Sequence, residues 1–166
     1  MKNLVIGQSG GPTAVINASL YGAVKAFKES GTDGHVLGMI NGIEGFLADH
    51  VMDLSTDLSD EELELLKLTP AAYLGSCRYK LPADLESEVY PAIFDNFREM
   101  NIGYFLYVGG NDSMDTVDKL SRYAEKIGSD VKFIGIPKTI DNDLVLTDHT
   151  PGFGSAAKYV ASTVRE

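Results

Sequence analysis

Short apolar runs separated by longer stretches of helical spacing fill the chain from end to end. The runs at residues 4–6, 36–39, 104–108 and 132–136 are almost wholly apolar, which predicts strands buried on both faces. Elsewhere apolar positions recur every three or four residues, predicting helices over 14–28, 60–66, 85–99, 113–127 and 155–164. Strands alternating with helices predict an α/β fold, a doubly wound, Rossmann-like parallel sheet covered on both faces. No internal repeat, low-complexity tract or Gly/Ser-rich linker breaks the pattern, so residues 1–166 read as one domain. The last helical run reaches Glu166 without a Gly, Asn or Pro stop signal, which reads as a piece of a longer chain.

Composition narrows this picture. The 166 residues, 44% of them hydrophobic, suffice for a sizeable core. No apolar run approaches the roughly 20 residues that span a bilayer, and residues 1–7 are too short an apolar stretch for a secretory signal. The one cysteine, Cys77, has no internal disulfide partner, so a reducing cytoplasm is expected. A net charge of −10 disfavours nucleic acid and anionic membranes as partners. A small phosphate remains possible if local N–H groups, a few cations and a metal ion receive it.

In an open parallel sheet, ligands gather beyond the carboxyl ends of the strands, and three loops there carry candidate chemistry. The first is Gly7-Gln8-Ser9-Gly10-Gly11-Pro12-Thr13. Its glycines permit close approach of backbone to a ligand, and Pro12 suits a first helical turn whose free N–H groups attract anions. It matches neither G-x-x-x-x-G-K-[ST] nor G-x-G-x-x-G, and a plain tight turn explains it as well. The second is Gly109-Gly110-Asn111-Asp112-Ser113. Helix capping accounts for one of its three polar residues, but not for paired glycines followed by a carboxylate, which suit a phosphate and its magnesium ion.

The third is Ile136-Pro137-Lys138-Thr139-Ile140-Asp141-Asn142-Asp143. If it stays extended, Thr139, Asp141 and Asp143 share one face. One carboxylate then accepts the proton of an attacking hydroxyl while another holds metal or substrate, and Lys138 neutralises charge on a transferred phosphoryl group. An ordinary turn with Asx hydrogen bonds is the bland alternative. Arg78, in a loop before the 85–99 helix, is placed to bind phosphate oxygens in pairs or to be an ordinary surface arginine. Cys77 reads as a small buried filler, and His35, His50 and His149 show no ligand spacing.

Together, S-G-G near the start, L-G-S-x-R, G-G-N-D-S, P-K-T-I-D-N-D and the stretch Thr150-Pro151-Gly152-Phe153-Gly154-Ser155-Ala156 resemble the phosphofructokinase family in order and rough spacing. The resemblance covers essentially the whole chain. It implies phosphoryl transfer to the 1-hydroxyl of fructose 6-phosphate, giving fructose 1,6-bisphosphate, in glycolysis, with a homo-oligomer when the chain is full length. It implies Asp141 as general base, with Thr139, Ile140, Asp141 and Asp143 against the sugar. Gly11, Gly110 and Arg78 would bind the donor's phosphates, and Lys138 would stabilise the transferring group. Where Asn111 stands, the family usually has a magnesium-binding aspartate; an amide offers only a neutral oxygen, so metal binding there would be weakened or water-mediated.

Donor choice turns on Asp112. ATP-using relatives typically carry glycine there, leaving room for the inner phosphate of the nucleotide. A carboxylate obstructs and repels that phosphate, so the resemblance is to the pyrophosphate-dependent type, with reversible transfer. Three alternatives stay open: an ATP-dependent phosphofructokinase, a phosphate-binding fragment without catalysis, and an NAD-kinase-like or lipid-kinase-like protein. The last leaves P-K-T-I-D-N-D unexplained. The half of the family's fold that supplies most sugar-phosphate contacts lies beyond these residues, so this portion alone is expected to be weak or inactive.

Overall fold

In the computed structural model, which describes residues 2–166, four apolar runs form the parallel core of a five-stranded sheet. These are β1 (Asn3–Gln8), β2 (Val36–Met39), β4 (Ile102–Gly109) and β5 (Lys132–Pro137). A fifth strand, β3 (Val51–Asp53), pairs antiparallel with β2 at one edge, and the order across the sheet is β3-β2-β1-β4-β5. The sheet is therefore mixed rather than purely parallel. β3 is only three residues long and half-buried, too short for its sequence to show a strand period.

Side-chain alternation sorts the strands between two cores. Leu4 and Ile6 pack on one face with Ile16, Leu20 and Val24 of α1 (Ile16–Glu29) and Leu63 of α3 (Asp60–Leu65). Val5, Phe105 and Tyr107 face the other way, toward α2 (Gly42–Leu47), α4 (Val89–Glu99) and α5 (Asn111–Ile127). Phe94, Phe97, Phe105 and Phe133 form a ring cluster there, with centroids 5.0–6.1 Å apart. From the central pair, β1 leads outward through α1 to β2, and β4 leads outward the opposite way through α5 to β5. Right-handed crossovers put α1 and α5 on opposite faces and open a crevice between the carboxyl ends of β1 and β4.

Several boundaries differ from expectation for identifiable reasons. α4 starts at Val89 rather than at 85. A start at 85 would require Pro91 to donate to the carbonyl of Ser87, and proline has no N–H. α1 starts at Ile16, after Ile16 N–H closes a tight turn on Thr13 C=O at 3.2 Å, so Pro12 lies in the loop and not in a first helical turn. α2, which the sequence pattern does not predict, opens on two consecutive left-handed residues, its N-cap Asn41 (φ 59°) and its first residue Gly42 (φ 60°). α6 (Phe153–Arg165) buries none of its residues. Among the described residues, no helix is long and apolar enough to cross a membrane.

Candidate active site

The carboxyl ends of β1, β4 and β5 lie side by side, with Gln8 level with Val108 and Gly109 level with Pro137. The three loops singled out from the sequence therefore leave the sheet together. They enclose a cleft of about 260 Å³ lined by Gly11, Thr13, Gly110, Lys138, Thr139, Asp141 and Asp143, among others. A second cleft of about 410 Å³ adjoins it, lined by Ser9, Cys77, Arg78, Tyr79 and Asp112. Gly11, Gly110, Asn111 and Lys138 border both. The inner cleft thus holds the Thr139/Asp141/Asp143 set, the outer one Arg78 and Asp112, and Lys138 stands between them.

The glycines leave space that no protein atom uses. A Cβ on Gly11 would meet nothing within 4 Å, and one on Gly110 only the Lys138 carbonyl at 3.9 Å. Gly10 takes a left-handed φ of 77°, and the Lys138 ammonium lies 3.4 Å from where its Cβ would be. Lys138 itself is 8% exposed, its N–H bonded to Gly109 C=O at 2.9 Å. Its ammonium joins no ion pair among the described residues. Burial without a counter-charge pushes its pKa below the usual lysine range.

The second loop folds differently from its capping expectation. α5 begins at Asn111, its N-cap is Gly110, and no side chain caps it. Asn111, Asp112 and Ser113 thus form the first helical turn; Ser113 N–H bonds Gly110 C=O at 3.0 Å, while the Asn111 and Asp112 N–H groups ahead of it have no intrahelical acceptor and stay available at the cleft. Ser113 turns inward and is 3% exposed, beneath Gly109, where a Cβ would sit 1.9 Å from its Oγ. Asp112 points outward and pairs with Lys80 at 3.0 Å. Lys80 lies in an irregular segment 32 residues before Asp112, where no strand or helix period marks it.

The third loop is not extended. Asn142 adopts a left-handed φ of 55°, and the Thr139 hydroxyl accepts the Asp141 N–H at 2.9 Å. Asn142 also spans the loop, donating to Asp148 C=O at 3.1 Å and accepting from Thr150 N–H at 2.8 Å. Side-chain hydrogen bonds of this kind outcompete a straight strand, so simple alternation does not hold. Thr139, Asp141 and Asp143 nevertheless all line the inner cleft. Ile140 also lines it and is half exposed.

One further feature had no sequence signal. The Thr13 hydroxyl borders the inner cleft and is buried without a hydrogen-bond partner. Cys77 is buried, its Sγ 3.7 Å from the Tyr107 hydroxyl, as expected of a filler. Burial pushes the Tyr107 pKa up, so that hydroxyl stays protonated. As for metal, no group of three or more His, Cys, Asp or Glu side chains that could hold an ion exists among the described residues. The oxygen donors at the clefts, Asn111, Asp141 and Asp143, fit only a magnesium ion whose coordination is largely phosphate and water.

Comparison with known proteins gives concordant results. The family model described as phosphofructokinase matches residues 3–166. A pyrophosphate–fructose 6-phosphate 1-phosphotransferase of Halomonas elongata is 46% identical over 99% of this chain and 39% of that protein. The crystal structure of a pyrophosphate-dependent phosphofructokinase from Nitrosospira multiformis superposes with a TM-score of 0.87 at 43% identity, covering 98% of this chain and 40% of that one. A sulfofructose kinase of Alkalicoccus urumqiensis is 40% identical over 98% of this chain and 40% of its own length. The chain spans about 40% of the length of the curated relatives it matches.

Proposed function

The chain belongs to the phosphofructokinase family, and from that premise we propose that the full-length protein moves a phosphoryl group from pyrophosphate to the 1-hydroxyl of fructose 6-phosphate. The products are fructose 1,6-bisphosphate and phosphate, and the reaction is reversible, cytoplasmic and glycolytic. The observation that carries this reading is the pair of adjoining clefts with Lys138 on their common border and Asp141 on the inner side.

In this reading pyrophosphate lies across the border. Gly11, Gly110 and the free N–H groups at the start of α5 meet its oxygens, and Arg78 holds the outer phosphate. The buried Thr13 hydroxyl without a partner fits one more phosphate oxygen. Asp141 takes the proton of the sugar hydroxyl as that oxygen attacks, Asp143 and Thr139 steady the acceptor, and Lys138 offsets charge gathering on the phosphoryl oxygens. Magnesium, with Asn111, Asp141 or Asp143 among its neighbours, would supply charge neutralisation on the phosphates.

Asp112 supports pyrophosphate over ATP. Its carboxylate borders the outer cleft where a nucleotide's inner phosphate would extend, and the Lys80 pair keeps it there. Pairing blunts the charge but leaves the bulk, so steric exclusion is the larger part of the effect. The test is Asp112→Gly in the full-length protein, assayed with both donors. The expected outcome is a measurable ATP reaction where the parent has almost none; unchanged donor selectivity would remove Asp112 from this role. The same assay run with sulfofructose beside fructose 6-phosphate fixes the acceptor, whose remaining contacts come from outside these residues.

A further inference from the structure

Next to the β1 exit, whose Ser9 and Gly10 line the outer cleft, lies a buried amide pair to which the reaction assigns nothing. Gln8, the last residue of β1, is 0% exposed, and Asn17, in the first turn of α1, is 2% exposed. Gln8 Nε2 donates to Asn17 Oδ1 at 2.9 Å and to Ile16 C=O at 3.1 Å, and Gln8 Oε1 accepts Leu74 N–H at 2.9 Å. Asn17 Nδ2 donates to Thr69 C=O and Ala71 C=O, both at 2.8 Å, and Asn17 Oδ1 accepts Tyr73 N–H at 2.9 Å. Both donor N–H groups and the carbonyl of each amide are thereby used.

We infer that Gln8 and Asn17 are positioning residues for donor binding, acting through the main chain of residues 69–74 to set Arg78 opposite the glycine turn. The inference rests on the donor reading proposed above. The segment they hold has no regular structure, so its main-chain groups need side-chain partners. It includes Ala71 in a left-handed conformation (φ 64°), which persists only where the surroundings impose it. Beyond Leu74 the chain turns at Gly75 (φ 73°) and is stitched to the β1 exit. Ser76 Oγ donates to Gly10 C=O at 2.6 Å, and Cys77 C=O accepts from Ser9 Oγ at 3.1 Å and from Gly10 N–H at 3.4 Å. Arg78 follows at once and borders the cleft.

The two amides stand on the elements on either side of the Gly10–Gly11 turn, so one network registers both donor-binding walls. A fully satisfied buried network of this kind selects one arrangement of its segments, and phosphate contacts require that arrangement to hold within about 0.5 Å.

The test uses the full-length protein, with Gln8→Met, Asn17→Ser and Arg78→Ala singly, each amide variant also combined with Arg78→Ala, and Leu120→Ala as a control. Leu120 is buried in the opposite core. Gln8→Met and Asn17→Ser should each raise KM for pyrophosphate about tenfold, the loss of one charge-assisted hydrogen bond, while KM for the sugar phosphate holds. In the Arg78→Ala background they should add almost nothing, because the interaction they serve is gone. Hydrogen exchange at Tyr73 and Leu74 should quicken in either amide variant, and Leu120→Ala should lower Tm without touching KM for pyrophosphate. The inference is overturned if the effects add fully with Arg78→Ala, or if Leu120→Ala raises that KM as much. It is likewise overturned if a folded Asn17→Ser protein keeps its parent KM. Should Arg78→Ala alone leave KM for pyrophosphate unchanged, the donor reading itself falls and takes the inference with it.

Discussion

Lys138 shows how burial alone can change the proton affinity of one residue. Its ammonium is buried beside Gly10, with no carboxylate paired to it among the described residues, and is therefore easier to deprotonate than an exposed lysine. If that charge is needed in the reaction, activity should fall on the alkaline side below the ordinary lysine value of about 10.4. Lys138→Arg should retain its charge and shift that limb upward in a pH–rate profile. The stability consequence has a definite sign. The folded chain releases this proton before the unfolded one, so between the lowered value and the ordinary one the unfolded state binds more protons and stability rises with pH. Asp141 is tested more bluntly. Asp141→Ser should cut turnover by about 10²–10⁴-fold or more while Tm stays put, since the side chain is exposed in the cleft and packs in no core. Near-parental turnover would strip it of the role of base.

At the scale of elements, β1, β2 and β4 were legible because strands buried on both faces must be apolar throughout. β5 is as apolar in sequence, yet the structure leaves Lys132, Ile134 and Pro137 exposed. Leu4, Val5 and Ile6 divide between two cores, so no polar alternation marks them, and shortness together with flanking glycine identifies them instead. The loops at their carboxyl ends were legible for the same topological reason. What escaped has physical causes as well. β3 is held by pairing with β2 rather than by its own three residues, and α2 by left-handed residues at its entry. The bend at Asn142 depends on partners six and eight residues onward, and the Lys80–Asp112 pair joins segments 32 residues apart. Gly109 is where element packing meets the site. A Cβ there would overlap Ser113 Oγ and approach Ser9 C=O to 3.2 Å. Gly109→Ala should therefore force β4 away from α5 and cost about 1–3 kcal/mol in chemical denaturation. A variant as stable as its parent would mean that the first turn of α5 yields more readily than described.

The whole molecule carries its two clefts on an incompletely covered scaffold. Ile134 of β5 is 53% exposed and Tyr104 of β4 39%, while α6 exposes Tyr159, Val160 and Val164 at 73%, 58% and 81%. Relatives that match this chain are far longer, and a polypeptide of these 166 residues should behave accordingly. It should bind a hydrophobic dye such as ANS more strongly than the full-length protein, and show little or no turnover while pyrophosphate binding survives. Full activity in the 166-residue polypeptide would contradict the expectation that most acceptor contacts lie elsewhere. Above these details stands the claim that loops from β1, β4 and β5 surround one phosphoryl group supplied by pyrophosphate. It is tested most directly by steady-state turnover of the full-length protein with fructose 6-phosphate and magnesium, using pyrophosphate in one series and ATP in the other. Brisk turnover with pyrophosphate and almost none with ATP is the result predicted. The reverse, or no turnover with either donor, would contradict it.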